Sequence, residues 1–508
     1  MRPGFAYYWL VAVAGALLIW PMLLFTNISQ QSEIRLALWE PHSVFPSSPA
    51  FFVDQVSWSF ALAIATLLLA GILISVAHSA DPDFLRPAWL NYACSLSLTA
   101  ASILAVCVGN LLSLLLVWTL QDILELVAWL AKTHNEGKNQ QIVLTFSSRI
   151  VSQVILIWAA ITEQSSLSQI SILTLDQAIT PFIIIAAGIR IYVQSIAPPH
   201  ESRSTIESGL DSSLYLIPLA SSLALLCRVA ADGIPQGTTS VFLVLASLMA
   251  LYGSAKWLLR INDPENRANW IIALGALSIA AAIRVQPGAC LAIGNVLLLT
   301  GGLLFNFNLR SFKLSPLLIV GGLSLLALPW MPGWSMVQLY AAPFEPILLL
   351  FLASQALLFV GYIRYALRVS PKPVKMENWA WALYIWGLLL LVLATLIITW
   401  WPLRNGQNPL QQHPSLLESW PGVAIMLLVG LIFFFWRGRY GIPARFLINL
   451  RKRLSFGWLY RLILRLLRLG RYVMQWFNTL LEGQAGILWA FLLLVLLLTL
   501  FSQSILGG

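Results

Sequence analysis

The chain consists of apolar stretches of about 20 residues that alternate with short polar segments. Stretches of this length match the hydrocarbon thickness of a bilayer and predict membrane-spanning helices. We expect an all-α, polytopic membrane protein with about 15 transmembrane helices. The predicted spans begin near Phe5, Val56, Ala88, Asn110, Gln141, Gln177, Asp211, Thr239, Ala268, Gln286, Leu314, Phe344, Trp379, Pro421 and Ala485.

The same pattern divides the chain into five parts. Residues 1–55 hold the first span and an outer loop, residues 56–370 a continuous series of spans, and residues 371–436 additional spans. A basic surface helix is predicted within residues 437–480 and a last span within residues 481–508. The first span, about Phe5–Thr26, is long and is followed by no small-residue cleavage site, so we expect it to be retained rather than removed as a signal peptide.

Lysine and arginine are unevenly distributed between alternate loops. With the N-terminus in the cytoplasm, most basic loop and span-end residues fall inside, Arg267 among them, and only Arg35, Arg284 and Arg404 fall outside. Because cytoplasmic loops are enriched in positive charge, we expect an integral protein of a cytoplasmic (inner) membrane with its N-terminus inside. An odd number of spans then places the C-terminus outside.

Composition excludes several classes of protein. The chain is 59% hydrophobic and only 10% charged, which no soluble globular protein matches. Its four cysteines lie singly in apolar stretches, and no cysteine or histidine spacing suggests a metal, iron–sulfur or haem site. Motifs of nucleotide-binding or hydrolytic sites are also missing from the sequence. We expect no catalytic residue, metal or cofactor in this chain itself.

The segment Arg437–Arg471 carries ten basic residues and no acidic one. Within it, Arg461, Arg465 and Arg468 fall on one face of a helix. This pattern predicts a basic amphipathic helix at the inner membrane surface, in contact with anionic lipid. Docking along a neighbouring subunit is the alternative. Because most of the net charge of +10 lies here, that charge does not indicate nucleic-acid binding.

Four charged side chains lie well inside predicted spans: Asp122, Glu125, Arg149 and Arg190. The two acids are three residues apart in the fourth span and therefore share a helix face. Arg149 lies in the fifth span and Arg190 in the sixth. At about 1.5 Å per residue, all four lie roughly 9–14 Å from the inner edge of the membrane. We therefore expect opposite charges from three neighbouring helices to meet at one depth.

Two interpretations of these charges stay open, a proton path and a structural ion-pair cluster. A charge inside a bilayer is costly unless it is paired or hydrated. Arginine keeps its proton, so a relay would have to use Asp122 or Glu125, and a neighbouring arginine would hold either acid ionised. The pairing favours a structural or fixed electrostatic element over a complete relay. Lys256, near the inner end of the eighth span, is a weaker candidate that can extend its ammonium to the surface.

Several short motifs occur in an order known from one family of membrane proteins. They are FVDQVS at 52–57, DP at 81–82, NLLSLLLVW at 110–118, the stretch 141–151, AGIR at 187–190, LRIND at 259–263, GNVLLLTGG at 294–302, and LLALP and PGW at 325–329 and 332–334. From Val53 to about Tyr365 the chain resembles the antiporter-like, proton-translocating subunits of respiratory complex I and of Mrp-type sodium/proton antiporters. The resemblance implies two inverted five-helix repeats, about spans 3–7 and 8–12, with broken helices near Pro218 and within the tenth span.

The chain departs from the family pattern at the charged positions. The family's glutamate falls on Thr119, although Asp122, one turn further on, can substitute for it. The lysine that pairs with that glutamate falls nearest Arg190, and a later lysine falls on Asn295. The next lysine falls in the stretch 314–344, which has no acidic or basic residue. The resemblance therefore implies an ion path that is incomplete in the second repeat.

Three hypotheses about function follow. The leading one is a divergent proton-translocating subunit of a complex I-like NADH-quinone oxidoreductase or a related assembly, with other membrane subunits as partners. Any flavin, iron–sulfur or quinone chemistry would then lie in those partners. The second is a structural or assembly subunit that conducts no ion. The third is the membrane subunit of an inorganic-carbon uptake system.

Overall fold

The computed structural model describes fourteen stretches of the chain. These are residues 8–25, 32–35, 48–78, 89–132, 136–163, 170–196, 209–259, 263–307, 314–329, 331–341, 343, 345–366, 377–404 and 420–437. The chain divides into two units, residues 1–440 and 441–508. The second unit lies outside the described residues, and with it the predicted basic helix, the side chains of Arg461, Arg465 and Arg468, and the predicted span near Ala485.

Almost all described residues are helical. The helices are α1 (Tyr8–Phe25), α2 (Gln55–His78), α3 (Trp89–Val106), α4 (Leu111–Lys132), α5 (Glu136–Thr162), α6 (Thr180–Ile196), α7 (Gly209–Leu216), α8 (Leu219–Asp232), α9 (Gln236–Leu259), α10 (Asp263–Ile283), α11 (Pro287–Asn295), α12 (Gly301–Asn306), α13 (Ser315–Ser324), α14 (Leu348–Ala366), α15 (Asn378–Arg404) and α16 (Trp420–Arg437). A π-helical segment, Val296–Thr300, joins α11 to α12, and a 3-10 helix, Trp334–Tyr340, follows α13.

These helices coincide with the predicted spans, apart from the one near Ala485. Within the described residues, ten helices are long and apolar enough to cross a membrane, counting α7 with α8 and α11 with α12 as one span each. Three shorter apolar helices lie in α1, α6 and α16. The expected all-α polytopic class is therefore confirmed, and the predicted number of spans is approximate.

A small extended structure ties together the segments that precede α2, α4 and α6. Strand β1 (Ser32–Arg35) pairs antiparallel with β2 (Ala50–Val53), with Ser32 opposite Val53. Bridges join Phe51 to Val108 and Asn110 to Ser171. Backbone groups in these segments, which lie outside the helices, are thus paired with one another.

Two of the family-like motifs act as helix caps. The amide of Ser57 donates to Asp54 Oδ1 at 2.7 Å at the start of α2, and the amide of Ser113 donates to Asn110 Oδ1 at 2.9 Å at the start of α4. Side-chain oxygens at this position satisfy amides that have no partner within the helix. The Asn110 amide also donates to the Ser48 carbonyl at 2.9 Å, which fixes the segment before β2.

Arg228 holds the turn between α3 and α4 from the side of α8. Its guanidinium donates to the carbonyls of Val106 at 2.9 Å and Val108 at 2.6 Å, and lies 3.5 Å from Asp54 Oδ1. With only 6% of its surface exposed, this cation is accounted for by local structure. We therefore attribute to it a role in anchoring the turn.

Two spans are interrupted in the middle. The seventh breaks at Ile217–Pro218, between α7 and α8, as predicted. Proline removes a backbone donor and clashes with the preceding turn, which explains the break. The eleventh span breaks after Ser324, where turns lead to the 3-10 helix. The tenth span is not broken but contains the π-helical segment, which adds a residue to the helical turn. Interrupted helices at membrane depth need polar partners for the freed backbone groups.

Candidate functional site

The four predicted charges meet at one place. Asp122 and Glu125 project from α4, Arg149 from α5 and Arg190 from α6, and α5 packs against both α4 and α6. All four are buried, with exposures of 1%, 1%, 4% and 5%. Side chains from three neighbouring helices thus contact one another in the structure. We call this group of four the charge cluster.

The charge cluster contains two bidentate ion pairs. Arg190 donates from Nη1 to Asp122 Oδ2 at 2.8 Å and from Nη2 to Asp122 Oδ1 at 2.6 Å. Arg149 donates from Nη1 and Nη2 to the two oxygens of Glu125, both at 2.6 Å. The two pairs are joined, because Arg149 Nη1 lies 3.7 Å from Asp122 Oδ1. Both oxygens of each carboxylate are therefore already acceptors in charge-assisted hydrogen bonds, which are the strong ones.

Two glutamines extend the charge cluster. Gln153 on α5 donates to Asp122 Oδ2 at 3.0 Å. Gln194 on α6 accepts a hydrogen bond from Arg149 and donates to the carbonyl of Tyr215 at 3.0 Å. Each glutamine follows a cluster arginine by four residues, a spacing that puts both side chains on one helix face. Neither glutamine was predicted from the sequence, and its spacing from an arginine is the only local signal of its contact with the cluster.

Tryptophans enclose the charge cluster. The Arg190 guanidinium lies over the ring of Trp118, 4.2 Å from its centroid. Trp129 donates from its indole nitrogen to Glu125 Oε1 at 3.1 Å. A cation over an indole face is stabilised by the ring quadrupole, and more so when it is desolvated. Trp118 and Trp129 therefore interact directly with the charged groups, in addition to shielding them from solvent.

The break between α7 and α8 is tied to the same helices. Its Tyr215 carbonyl is held by Gln194 on α6, and its Pro218 carbonyl accepts from Gln121 on α4 at 3.1 Å. The eleventh span has a similar device, since Gln355 donates to the Leu325 carbonyl at 2.6 Å. Uncharged amides therefore satisfy carbonyls at both interruptions. In the first of them one amide, Gln194, also binds a cluster arginine.

Space beside the charge cluster is small. A cavity of about 10 Å³ lies between α4 and α5, lined by Asp122, Glu125 and Arg149 together with Trp129 and Thr145. About 10–15 Å³ on this measure holds a single water molecule. Among the described residues, no group of three or more histidine, cysteine, aspartate or glutamate side chains is placed to hold a metal.

The remaining predicted candidates lie apart from the ion pairs. Thr119, where the family's glutamate falls, is exposed and reaches the cluster only through Gln153, whose Oε1 is 3.3 Å from the threonine hydroxyl. Lys256 donates to the Tyr252 hydroxyl within α9. Asn295 donates to Ser59 Oγ at 2.8 Å on α2. Of the two positions near the family's acid, Asp122 is therefore the one that pairs with a cation.

Arg267 is a further buried cation outside the charge cluster. It lies at the start of a membrane-spanning segment, Asn266–Ile283, as expected, but its side chain is only 7% exposed, which the sequence did not indicate. Its guanidinium lies 5.6 Å from the ring centroid of Tyr215 and 5.3 Å from that of Phe305. The Tyr215 ring in turn packs edge-on against Trp129, with centroids 5.1 Å apart. The rings of Trp129 and Tyr215 thus lie between the charge cluster and Arg267.

Comparisons with known proteins show which fold this is. No protein-family model and no curated protein matches the sequence. Solved structures do match. A chain of the Mrp complex from Dietzia sp. DQ12-45-1b superposes with a TM-score of 0.62 at 13% identity, covering 99% of this chain and 60% of that one. The chain has the antiporter-like fold.

Two further structures extend the comparison. A chain of the membrane-bound sulfane sulfur reductase, an archaeal respiratory membrane complex, gives a TM-score of 0.62 at 15% identity, over 97% of this chain and 99% of that one. A chain of respiratory complex I from Thermus thermophilus gives 0.56 at 17% identity, over 77% and 92%. Identities this low show a common fold alone. They confirm the polytopic, antiporter-like class expected from the sequence, and this chain spans 60% of the length of the Mrp chain.

Proposed function

We propose that this chain is an antiporter-like membrane subunit of a multi-subunit assembly of the complex I or Mrp type. The observation that supports the proposal is that the fold match extends over nearly the whole length of both chains. The match to the sulfane sulfur reductase chain covers 97% of this chain and 99% of the other, so nearly all of one subunit corresponds to nearly all of the other. Its partners are other membrane subunits, and any redox chemistry takes place in those partners.

We further propose that the charge cluster is a fixed electrostatic element and that the ion path is incomplete. Both carboxylates are engaged by arginines, which do not release protons under physiological conditions. In the second half, Asn295 is an uncharged amide and the stretch 314–344 has no acidic or basic residue. A structural role without ion conduction is the second candidate, and the complete engagement of Asp122 and Glu125 is what favours it.

The assembly proposal predicts a stable complex. We expect the full chain, tagged and extracted from its own membranes in a mild detergent, to co-purify with other integral membrane proteins in fixed ratios. Mass spectrometry of the eluate and a native gel measure this. The same preparation in a detergent that dissociates membrane complexes is the control. Recovery of the chain alone, near its own mass of 56.3 kDa, in every mild detergent would contradict the proposal.

We also propose that the N-terminus is cytoplasmic, which the uneven distribution of basic loop residues supports. Single cysteines at two exposed positions test it: Asp176, before α6, should lie outside, and Glu377, before α15, inside. A membrane-impermeant maleimide applied to intact cells should label Asp176→Cys, and should label Glu377→Cys only after permeabilisation. The opposite pattern would invert the topology.

The unmodified chain is the control for that labelling. Its four cysteines are buried or half-buried. Cys107 lies just outside α3, and burial raises the pKa of its thiol to about 11, although the nearby Arg228 opposes the shift. The thiolate is the reactive form, so Cys107 should react little near neutral pH, and the background labelling from this residue should be low.

A further inference from the structure

A second cavity, larger than the one at the charge cluster, lies in the other half of the fold. It has a volume of about 420 Å³ and is bounded by α11 and the π-helical segment, by the turn before the 3-10 helix, and by α15. Volumes of 300–1,000 Å³ are typical of small-molecule sites. The walls are mainly apolar, with Leu291, Val296, Met331, Trp334 and Trp400 among the lining residues.

One polar atom at this cavity has no partner. Asn295 lines the cavity and is 8% exposed. Its amide nitrogen donates to Ser59 Oγ at 2.8 Å, but its Oδ1 has no hydrogen-bond partner within the part of the chain that the structure describes. Buried polar groups are normally hydrogen-bonded, and an exception needs an explanation. A ligand that offers a donor at this point would supply one.

The two threonine hydroxyls that line the cavity do not meet this need. Thr395 donates to the Val392 carbonyl at 2.6 Å, and Thr399 donates to the Thr395 carbonyl at 2.7 Å, so both hydrogens are used within α15. A single ordered water would want two to four polar partners and would leave most of an apolar space of about 420 Å³ empty. The cavity suits a larger molecule that is apolar along most of its length.

The position of the cavity along a membrane-spanning segment indicates where its ligand comes from. Asn295 lies eight residues after Pro287, the first residue of α11, which places it about 12 Å along a membrane-spanning segment. A site at this depth is supplied from the bilayer, where each molecule carries apolar chains. The ligand class is therefore a membrane lipid, and the amide oxygen requires that the lipid carry a hydrogen-bond donor.

We propose that this cavity binds a hydroxyl-bearing membrane lipid. The apolar chain would pack against Leu291, Val296 and the rings of Trp334 and Trp400, and the hydroxyl would donate to Asn295 Oδ1. A hydroxyl fits better than a charged headgroup, because no described acidic or basic side chain lines the cavity. The proposal requires only that the chain spans a membrane and does not depend on the proposed function.

Photo-crosslinking tests the proposal on the full chain, with its partners if it co-purifies with them. The probe is a long-chain alcohol with a diazirine in its chain, compared with its methyl ether, which cannot donate a hydrogen bond. We expect the alcohol to label peptides of α11 and α15 several-fold more than the ether does. Asn295→Leu should abolish this preference, while Ser59→Ala, which removes the internal hydrogen bond but keeps the amide oxygen, should retain it.

A second variant tests the cavity itself. Ala292→Trp fills the space from α11 and should abolish labelling by both probes, whereas Ala14→Trp on an exposed face of α1 should change nothing. An unchanged elution profile shows that each variant is folded. Equal labelling by alcohol and ether, or undiminished labelling of a folded Ala292→Trp, would overturn the proposal. Lipid extraction from the purified protein should yield a hydroxyl-bearing lipid in about equimolar amount, and Ala292→Trp should lose it.

Discussion

Replacing Asp122 with asparagine is expected to lower the free energy of unfolding by about 3–5 kcal/mol. The substitution leaves Arg190 buried without its counter-charge, and breaking a buried ion pair from one side costs about this much. The loss is not confined to one contact, since Asp122 also lies 3.7 Å from Arg149 and accepts from Gln153 at 3.0 Å. Unfolding by SDS in mixed micelles measures the change.

Two control variants test whether the loss of stability comes from the unpaired charge of Arg190. Glu377→Gln removes an acid at an exposed position before α15 and should change stability by no more than about 0.5 kcal/mol. The double variant Asp122→Leu/Arg190→Met removes both charges and should recover most of the loss, because apolar residues of similar volume often replace a buried pair at little cost. A double variant as unstable as Asp122→Asn would show that the loss does not come from leaving Arg190 without its counter-charge.

The same variants separate a fixed element from a proton path. In membrane vesicles with the assembled complex, we expect Asp122→Asn to reduce assembly, and the double variant to restore both assembly and substrate-driven proton pumping. Restored assembly with abolished pumping would instead show that pumping needs the Asp122–Arg190 charges, and would contradict a purely structural role. A stability measurement alone cannot make this distinction, which is why the double variant must be assayed in the vesicle.

The four charges of the cluster could be predicted to meet because their positions along their helices follow from residue spacing in the sequence. Span lengths and a rise of about 1.5 Å per residue were enough to predict that Asp122, Glu125, Arg149 and Arg190 lie close together. The caps at Asp54 and Asn110, which bind the amides three residues on, were not predicted, although they too are local contacts. In each case the relation lies within one helix or follows from its length.

Contacts between uncharged groups on distant helices were not predictable. Gln121 and Gln355 reach carbonyls at two helix breaks, 97 and 30 residues away along the chain, and nothing in their own helices signals this. The burial of Arg267 was missed for a related reason. Its position at the start of a span was predicted, but its contacts with the rings of Tyr215 and Phe305 come from distant parts of the chain. Long-range packing leaves no periodic trace in a single sequence.

A substitution at Gly333 is expected to have the second large effect. Gly333 lies in the turn between α13 and the 3-10 helix, and a Cβ atom there would stand 1.8 Å from the Ser324 carbonyl oxygen. Because the clash is with backbone rather than with a movable side chain, the interruption of the eleventh span has to shift. We expect Gly333→Ala to cost about 3 kcal/mol, the upper end for overpacking a buried site, as measured by SDS unfolding.

The matched control is Gly237→Ala in the first turn of α9, where an added Cβ meets nothing within 4 Å. Alanine favours a helix over glycine by about 0.8–1 kcal/mol, so this variant should be as stable as the parent or more so. The contrast bears on the cavity, because Met331, Pro332, Trp334 and Ser335 flank Gly333 and line it. A shift of this turn should therefore also reduce labelling by the long-chain alcohol. A Gly333→Ala protein with unchanged stability would mean that the break between Ser324 and Trp334 moves without cost and does not define the cavity wall.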